Sequence, residues 1–499
     1  MNPLRQLAGQ TVIYGMGTIV PRVLNYLLLT PFYTRIFITG EYGVITELYA
    51  YVAFLMVLLT YGMETAYFRF AESNSDKEKV YSSALTSLFF TTLLFLILVS
   101  LFAQPIAEWI KYPSHREYIL YFAFIVGIDA FTAIPFARLR QRQQATRFTI
   151  IRIVNVLVNI GLNIFFLSIC PRILENNPDS VIRFIYSPEV GVGYAFISNL
   201  IASITTLLML LPEILRFRIR FEPVLLRQLL AYALPLLVVG LAGMVNEVAD
   251  KILLKYLVVP PEGTIDRNAY AMGQVGVYGA NFKLAVLMSL FIQMFRFAAE
   301  PFFFAQAKNE NPQKIYAEVM KYFVIFCLLI FLAVTLYIDL FQHLIGKDYR
   351  EGLHIVPIIL IANLLLGVFY NQSIWYKLTN LTRYGAGIAI MGAVITVIVN
   401  LTLVPRLGYV GSALGHLACY LVMVLVSYFL GQKYYPVPYD LKILGWYLLC
   451  ALAIYGISLL LPISALLPKL LAHTGLFLVF AALVYIREKP LIARQFINK

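Results

Sequence analysis

Long apolar runs, each closed by a short polar stretch, fill this chain from one end to the other. A helix needs about 20 residues to cross a bilayer. At that length the pattern predicts fourteen apolar segments, roughly 11–37, 43–68, 81–109, 117–139, 148–170, 189–212, 229–257, 271–299, 316–342, 352–376, 384–404, 408–431, 442–461 and 467–486. The first runs through Pro21 and Arg22 to about Phe37. That is too long for a signal-peptide core and shows no small-residue cleavage site, so it reads as an uncleaved span. Loops are short throughout, and the longest outer one is about 171–188, PRILENNPDSVIRFIYSP. None is large or polar enough to form a soluble domain. The expectation is an all-α integral membrane protein of about fourteen transmembrane helices.

Composition agrees. Of 499 residues, 61% are hydrophobic and 13% charged, against roughly 25% charged in a soluble domain. A water-facing surface cannot be made from half the usual charge. The net charge of +13 sits mainly in short loops, where basic residues set orientation and meet anionic headgroups; nucleic acid is a poor reading. With the N-terminus inside, the inner face collects Arg5, Arg69, Lys77, Lys79, the run from Arg138 to Arg152, Arg216, Arg218, Arg220, Lys308, Lys377, Lys433 and the tail to Lys499. The bias is about two to one and places both termini on the cytoplasmic side. Cys170, Cys327, Cys419 and Cys450 lie in or at the ends of apolar segments without a CxxC spacing, so they read as small packing residues rather than a disulfide or metal framework. Many of the 34 tyrosines fall at span ends, as interfacial belts require.

The basic stretch 213–228, PEILRFRIRFEPVLLR, follows six spans. An even number puts span 7 in the same direction as span 1, so 1–212 and 229–431 are expected to be parallel six-helix lobes around a central cavity. Residues 442–486 would add a helix pair, and 487–499 a cytoplasmic tail. A faint echo supports the repeat: GVITELYAYVAFLMVLL leading to METAYFRFAE in span 2, and GVYGANFKLAVLMSLF leading to FRFAAEPFFFAQ in span 8. Glycine and proline are expected to interrupt span 1 (Gly15, Gly17, Pro21, Pro31), span 4 (Pro135), span 7 (Pro235, Gly240, Gly243) and span 10 (Pro357), freeing backbone groups and allowing bending.

An ionisable side chain deep in a span costs about 2.5–3.5 kcal/mol or more, so it normally faces an internal cavity. The deepest are Arg22, Asp129, Glu247, Asp250, Lys251, Lys283 and His416. Arg22 has Asn25 one turn on, on the same face. Glu247 and Lys251 are four apart and suited to pair with each other, leaving Asp250 for another partner. Two readings stay open. One is a hydrated cavity in which Arg22, Lys251 and Lys283 receive an anionic substrate while Glu64, Asp129, Glu247, Asp250 and Glu300 serve ion or proton coupling. The other is a set of interhelical salt bridges and interfacial anchors. His416, beside Gly415, reads as a packed or hydrogen-bonded histidine.

No GxxxxGK[ST], HExxH, GxSxG, paired-cysteine or DxD pattern occurs, so no ATPase or metal chemistry is indicated and no cofactor is expected. The segments PRVLNYLLLTPFYTRIFITGEYGVITELY, YGMETAYFRF, FKLAVLMSLFIQMFRFAAEPFFFAQ and NLTLVPRLGYVGSALGHLACYLVMVLVSYFLGQKYYPVPYD resemble the polysaccharide-biosynthesis flippases, O-antigen and capsule translocases, of the multidrug/oligosaccharidyl-lipid/polysaccharide exporter superfamily. The resemblance covers nearly the whole chain. It implies a bacterial inner-membrane protein that carries an undecaprenyl-diphosphate-linked oligosaccharide from the cytoplasmic to the outer leaflet by alternating access. Membrane lipids, H+ or Na+, and glycan polymerase or ligase partners are implied with it. Arg22 matches a position where relatives often carry a cavity arginine. The two spans beyond twelve resemble the lipid II flippase branch. Two other readings remain: a drug or metabolite antiporter of the same superfamily, centred on carboxylates, and a membrane glycan polymerase or ligase, which would need a larger outer loop.

Overall fold

In the computed structural model the apolar runs become helices whose ends and breaks have local causes. The structure describes residues 17, 19–73, 76–215, 222–307, 310–463 and 465–497. Among them there is no strand, and thirteen helices are long and apolar enough to cross a membrane. These match the second to fourteenth predicted segments one for one. The start of the first segment, Arg5, Gly15, Arg216, Arg218, Arg220, Lys308 and Lys499 lie outside the described residues. Packing divides the chain into two compact units, Met1–Ile252 and Leu253–Lys499.

The first unit begins with α1 (residues 19–24), a π-helical stretch Asn25–Leu29, and α2 (Thr30–Ile36). Pro31 has no N–H for the preceding turn, and the wider π turn absorbs that loss. The same device recurs where π-helical Phe165–Ile169 precedes Pro171. Next come α3 (Thr39–Thr60) and α4 (Met63–Ser73), separated by Tyr61 and Gly62 at φ 34° and 74°. Two successive left-handed residues end one helix and re-aim the next. A side chain at Gly62 would also meet the Ala233 carbonyl oxygen at 2.9 Å. The unit continues with α5 (Lys77–Leu101), capped by Asp76 on the Lys79 N–H, then α6 (Ala103–Trp109), α7 (Arg116–Gln141), α8 (Ala145–Ile164), α9 (Cys170–Asn176), α10 (Gly193–Ile214) and α11 (Pro223–Leu257). Leu225, Leu229 and Ala233 of α11 share one buried cluster with Tyr67, Ala71, Tyr81, Leu85 and Ile134. Packing therefore assigns α11 to the first unit as far as Ile252, whereas the charge pattern places the division at 213–228.

The second unit contains α12 (Arg267–Leu284), α13 (Val286–Gln306), α14 (Pro312–Leu336), α15 (Ile338–Phe341), α16 (Val356–Gln372), α17 (Ile374–Leu378), α18 (Thr382–Leu407), α19 (Tyr409–Tyr434), α20 (Leu441–Leu460) and α21 (Leu466–Ile497). The predicted span 271–299 is thus two helices, broken at Ala285 where ψ is 2°. The C-terminal pair is fastened to α14 at both ends. Glu488 receives the Lys321 ammonium and the Tyr447 hydroxyl, the latter at 2.7 Å, while Tyr337 meets Thr474 at 2.7 Å and Lys469 meets Asp339 at 2.7 Å. Leucine, isoleucine and phenylalanine side chains stand exposed on the helices of both units, as lipid contact requires.

The expected proline breaks are only partly realised. Pro135 and Pro235 sit inside continuous helices, and Pro357 occupies the first turn of α16, where its missing N–H is harmless. The tight turn between α18 and α19 depends instead on glycine. Gly408 has φ 56°, and a Cβ at Gly411 would lie 2.6 Å from the Leu403 carbonyl carbon. Backbone cannot rotate aside as a side chain can. Gly411→Ala is therefore expected to destabilise by about 1–3 kcal/mol, read as a lowered midpoint in thermal unfolding of the detergent-solubilised protein.

Candidate functional site

In the first unit, the described part of the first predicted segment (α1 to α2) and α8 run side by side in the same direction. Gly17 sits against Thr149 with no room for a Cβ, and further along the Tyr33 hydroxyl donates to Asn163 Oδ1 at 2.8 Å. Between these two contacts Arg22 is carried alongside Arg152, and each lies within electrostatic reach of the other. Both are exposed.

Arg152 is the eighth residue of α8, about 10 Å along its axis. Its guanidinium covers the Phe136 ring at 4.1 Å and lies 5.7 Å from the Phe148 ring. Arg140 reaches the same Phe148 at 5.9 Å and Phe68 at 5.1 Å. Two guanidinium groups thus converge on one aromatic ring, a geometry in which the ring faces ease the mutual repulsion. Arg140 is paired with Glu64, both partly exposed. Asp129 supplies a longer-range counter-charge to Arg152 and has the Ser203 hydroxyl beside it. Among the described residues Arg152 has no ion-pair partner, which sets it apart from the basic residues next to it in sequence.

Those neighbours are committed to structure. Glu213, 1% exposed, takes Arg147 at 2.8 Å, Arg138 at 3.5 Å and Arg142 at 3.8 Å. Arg138 also holds Glu78 at 2.6 Å and lies 4.1 Å over the Tyr81 ring. In helical geometry Arg147 and Arg152, five residues apart, are rotated by about 140°. Arg147 therefore turns to Glu213 while Arg152 faces the first span.

The sequence-selected residues fall into separate places. Arg22, Glu64 and Asp129 belong to the cluster around Arg152. Lys251 is drawn to its neighbours on α11: its ammonium bonds Asp250 Oδ1 at 3.2 Å and the Glu247 carbonyl at 3.1 Å. The expected Glu247–Lys251 side-chain pair is replaced by Lys251–Asp250, because Asp250 is buried and needs a counter-charge, whereas Glu247 is exposed. Lys283 lies in the last turn of α12, immediately before the break at Ala285. Glu300 is bonded by Lys377 at 2.7 Å, with Arg296 one turn away over the Tyr370 ring at 4.8 Å. His416 is buried between Phe282 and Tyr420. A cavity of about 440 Å³, lined by Arg383, Tyr384, Ile388, Met391 and Leu430, is mostly apolar and lies among other residues than these charges.

Sequence reading missed Arg152 and Arg140 because they stand in a run of arginines that reads as one basic loop. The signal that separates Arg152 is its depth in a helix rather than its proximity to the loop. The arrangement is suited to holding a multiply charged anion: guanidinium groups supply forked donors for phosphate or carboxylate oxygens, and the phenylalanines give an apolar flank.

Comparison with known proteins bears on what such a site serves. The structure is similar to "Lipid II flippase MurJ, inward closed conformation" at 14% identity, with a TM-score of 0.70, over 95% of this chain and 99% of that one. It is also similar to an inward-facing multidrug resistance MATE family transporter of the MOP superfamily, at 14% identity and a TM-score of 0.62, over 85% of this chain and 94% of that one. An outward-facing structure of such a transporter gives 14% identity and a TM-score of 0.56, over 87% and 96%. These likenesses concern the fold. A comparison with curated proteins finds no match by sequence. The family described as polysaccharide biosynthesis protein matches residues 7–307.

Proposed function

Since the chain belongs to the polysaccharide biosynthesis protein family, we propose that it is a flippase for a polyprenyl-diphosphate-linked oligosaccharide, moving it from the cytoplasmic to the outer leaflet by alternating access. The observation that carries this reading is the exposed Arg152, without an ion pair among the described residues, converging with Arg140 on Phe148 beside Arg22. A diphosphate brings at least two negative charges and needs forked donors. In this reading Arg152 and Arg22 hold the diphosphate and Arg140 stands next to them. Asp129, opposed to Arg152, is the carboxylate best placed to take up a proton or cation as the anion leaves. The multi-pass fold, similar to that of a lipid II flippase and of transporters of the MOP superfamily, supports transport across a membrane; in this reading the membrane is a bacterial inner membrane and, from the charge bias, both termini are cytoplasmic.

An antiporter for cationic drugs would favour unpaired carboxylates. In the cluster around Arg152, Glu64 is held by Arg140 and Asp129 stands against Arg152, Arg140 and Arg22, so the cations outnumber the carboxylates and favour an anion. The test is reconstitution into vesicles with a fluorescent polyprenyl-diphosphate oligosaccharide, following how fast the probe becomes accessible to an external quencher. Flipping well above that of protein-free vesicles is expected. A rate equal to empty vesicles with several glycans, in the presence and absence of H+ and Na+ gradients, would overturn the reading.

A further inference from the structure

Two ion pairs recur at matching positions of the two halves of the chain. In the first unit Glu64, at the start of α4, pairs with Arg140, near the end of α7. In the second unit Glu300 of α13 pairs with Lys377 of α17. The register that carries the start of α5 onto that of α14, both 25 residues long, also carries the start of α8 onto that of α18. Within two residues, the same register carries Glu64 onto Glu300 and Arg140 onto Lys377. Each pair ties the end of a half's second span to the end of its fourth.

Stability alone does not account for this repetition. All four side chains are 30–42% exposed, and pairs exposed to that degree contribute little, typically 0–1 kcal/mol. Nor is the bonding capacity used up. The Arg140 Nε–H is shut away from solvent and finds no acceptor among the described residues. Each pair also sits near a further cation, Arg152 in the first unit, which itself lies within reach of Arg22, and Arg296 in the second. An anion that displaces the glutamate would thus meet a site of net positive charge.

We propose that Glu64–Arg140 and Glu300–Lys377 are equivalent anion latches: the glutamate occupies the cation until a phosphate or diphosphate group displaces it. The inference rests on the reading that the cargo carries a diphosphate. It adds that each half offers its own handover position, and that the carboxylates act as internal competitors which keep the cations from binding the anion too tightly to release.

Removal of the two partners of one pair should act in opposite directions. With the purified full chain and inorganic pyrophosphate as the probe, Glu64→Gln and Glu300→Gln are each expected to tighten binding at least threefold. Arg140→Gln and Lys377→Gln are expected to weaken it at least threefold. The Glu64→Gln/Arg140→Gln double variant should lose the gain. A purely structural pair predicts losses or no change from both partners, and that outcome, or the absence of pyrophosphate binding in every form, overturns the latch. Should the cation variants fail to fold, the gain in the glutamate variants decides alone. Repeating the titration with a polyprenyl diphosphate and with phosphatidylglycerol nanodiscs identifies the source of the phosphate: a gain confined to the first marks the cargo, a gain confined to the second marks a bilayer headgroup. The flipping assay stands apart from these arms, so failure of the latch and failure of the flippase reading give different results.

Discussion

Arg152→Ala is expected to lower flipping of a polyprenyl-diphosphate oligosaccharide by about ten- to a hundredfold at sub-saturating substrate, with the protein still folded. A charge-assisted hydrogen bond contributes about 1.5–3 kcal/mol, and each 1.4 kcal/mol is a factor of ten. The residue carries no ion pair among the described residues and is exposed, so its removal leaves no stranded carboxylate nearby except the more distant Asp129. Thermal unfolding should shift little. Arg152→Lys should fall between alanine and wild type, because an ammonium keeps the charge but loses the planar fork. Arg22→Ala should follow the same direction if the first span shares the anion with α8. Flipping by Arg152→Ala at the wild-type rate would remove this cluster from the transport path.

How much of this was legible in the sequence depended on the length scale of each feature. Span count and helix positions came through because a bilayer imposes a repeat far longer than any local ambiguity. Helix breaks did not. Pro135 and Pro235 are obvious marks in sequence, yet their helices stay continuous, since packing can hold a helix together around a missing hydrogen bond. Tyr61–Gly62 and Ala285 carry the actual breaks. A tyrosine in left-handed conformation and an alanine at the end of a helix leave no compositional trace; tertiary contact fixes them, as the Ala233 backbone against Gly62 illustrates.

Charge behaved likewise. Depth alone picked out Asp129 and Lys251, which are partly buried, and Arg22, which stands exposed; partner choice needs three dimensions. Lys251 turned to Asp250 because the buried carboxylate is the costlier one to leave alone. The echoing segments of spans 2 and 8 contain Glu64 and Glu300 but not their partners, Arg140 and Lys377, which come from a different helix in each half.

Glu213→Gln should produce the largest loss of stability in the molecule, about 3–5 kcal/mol, the usual cost of removing one partner from a buried ion cluster. Glu213 is 1% exposed and collects Arg147, Arg138 and Arg142, and its backbone carbonyl also accepts from the Tyr81 hydroxyl at 3.1 Å and from Arg138 at 3.3 Å. With the carboxylate gone, three guanidinium groups face one another, and among the described residues Glu78 alone remains to oppose them; Arg138, itself 2% exposed, is left buried. Arg142→Ala, by contrast, removes a group that is 30% exposed and relieves some of that repulsion, so a change under about 1 kcal/mol is expected. Denaturant or thermal unfolding of the two variants in one detergent tests the contrast. Buried charges are poorly screened, so the Glu213→Gln deficit should persist at high salt. If the deficit is small, or disappears with salt, the cluster is solvated, and Arg138, Arg142 and Arg147 join Arg152 as groups available to an anion. If it is large and insensitive to salt, these arginines are committed to the fold, and the anion is left with Arg152, Arg140 and Arg22.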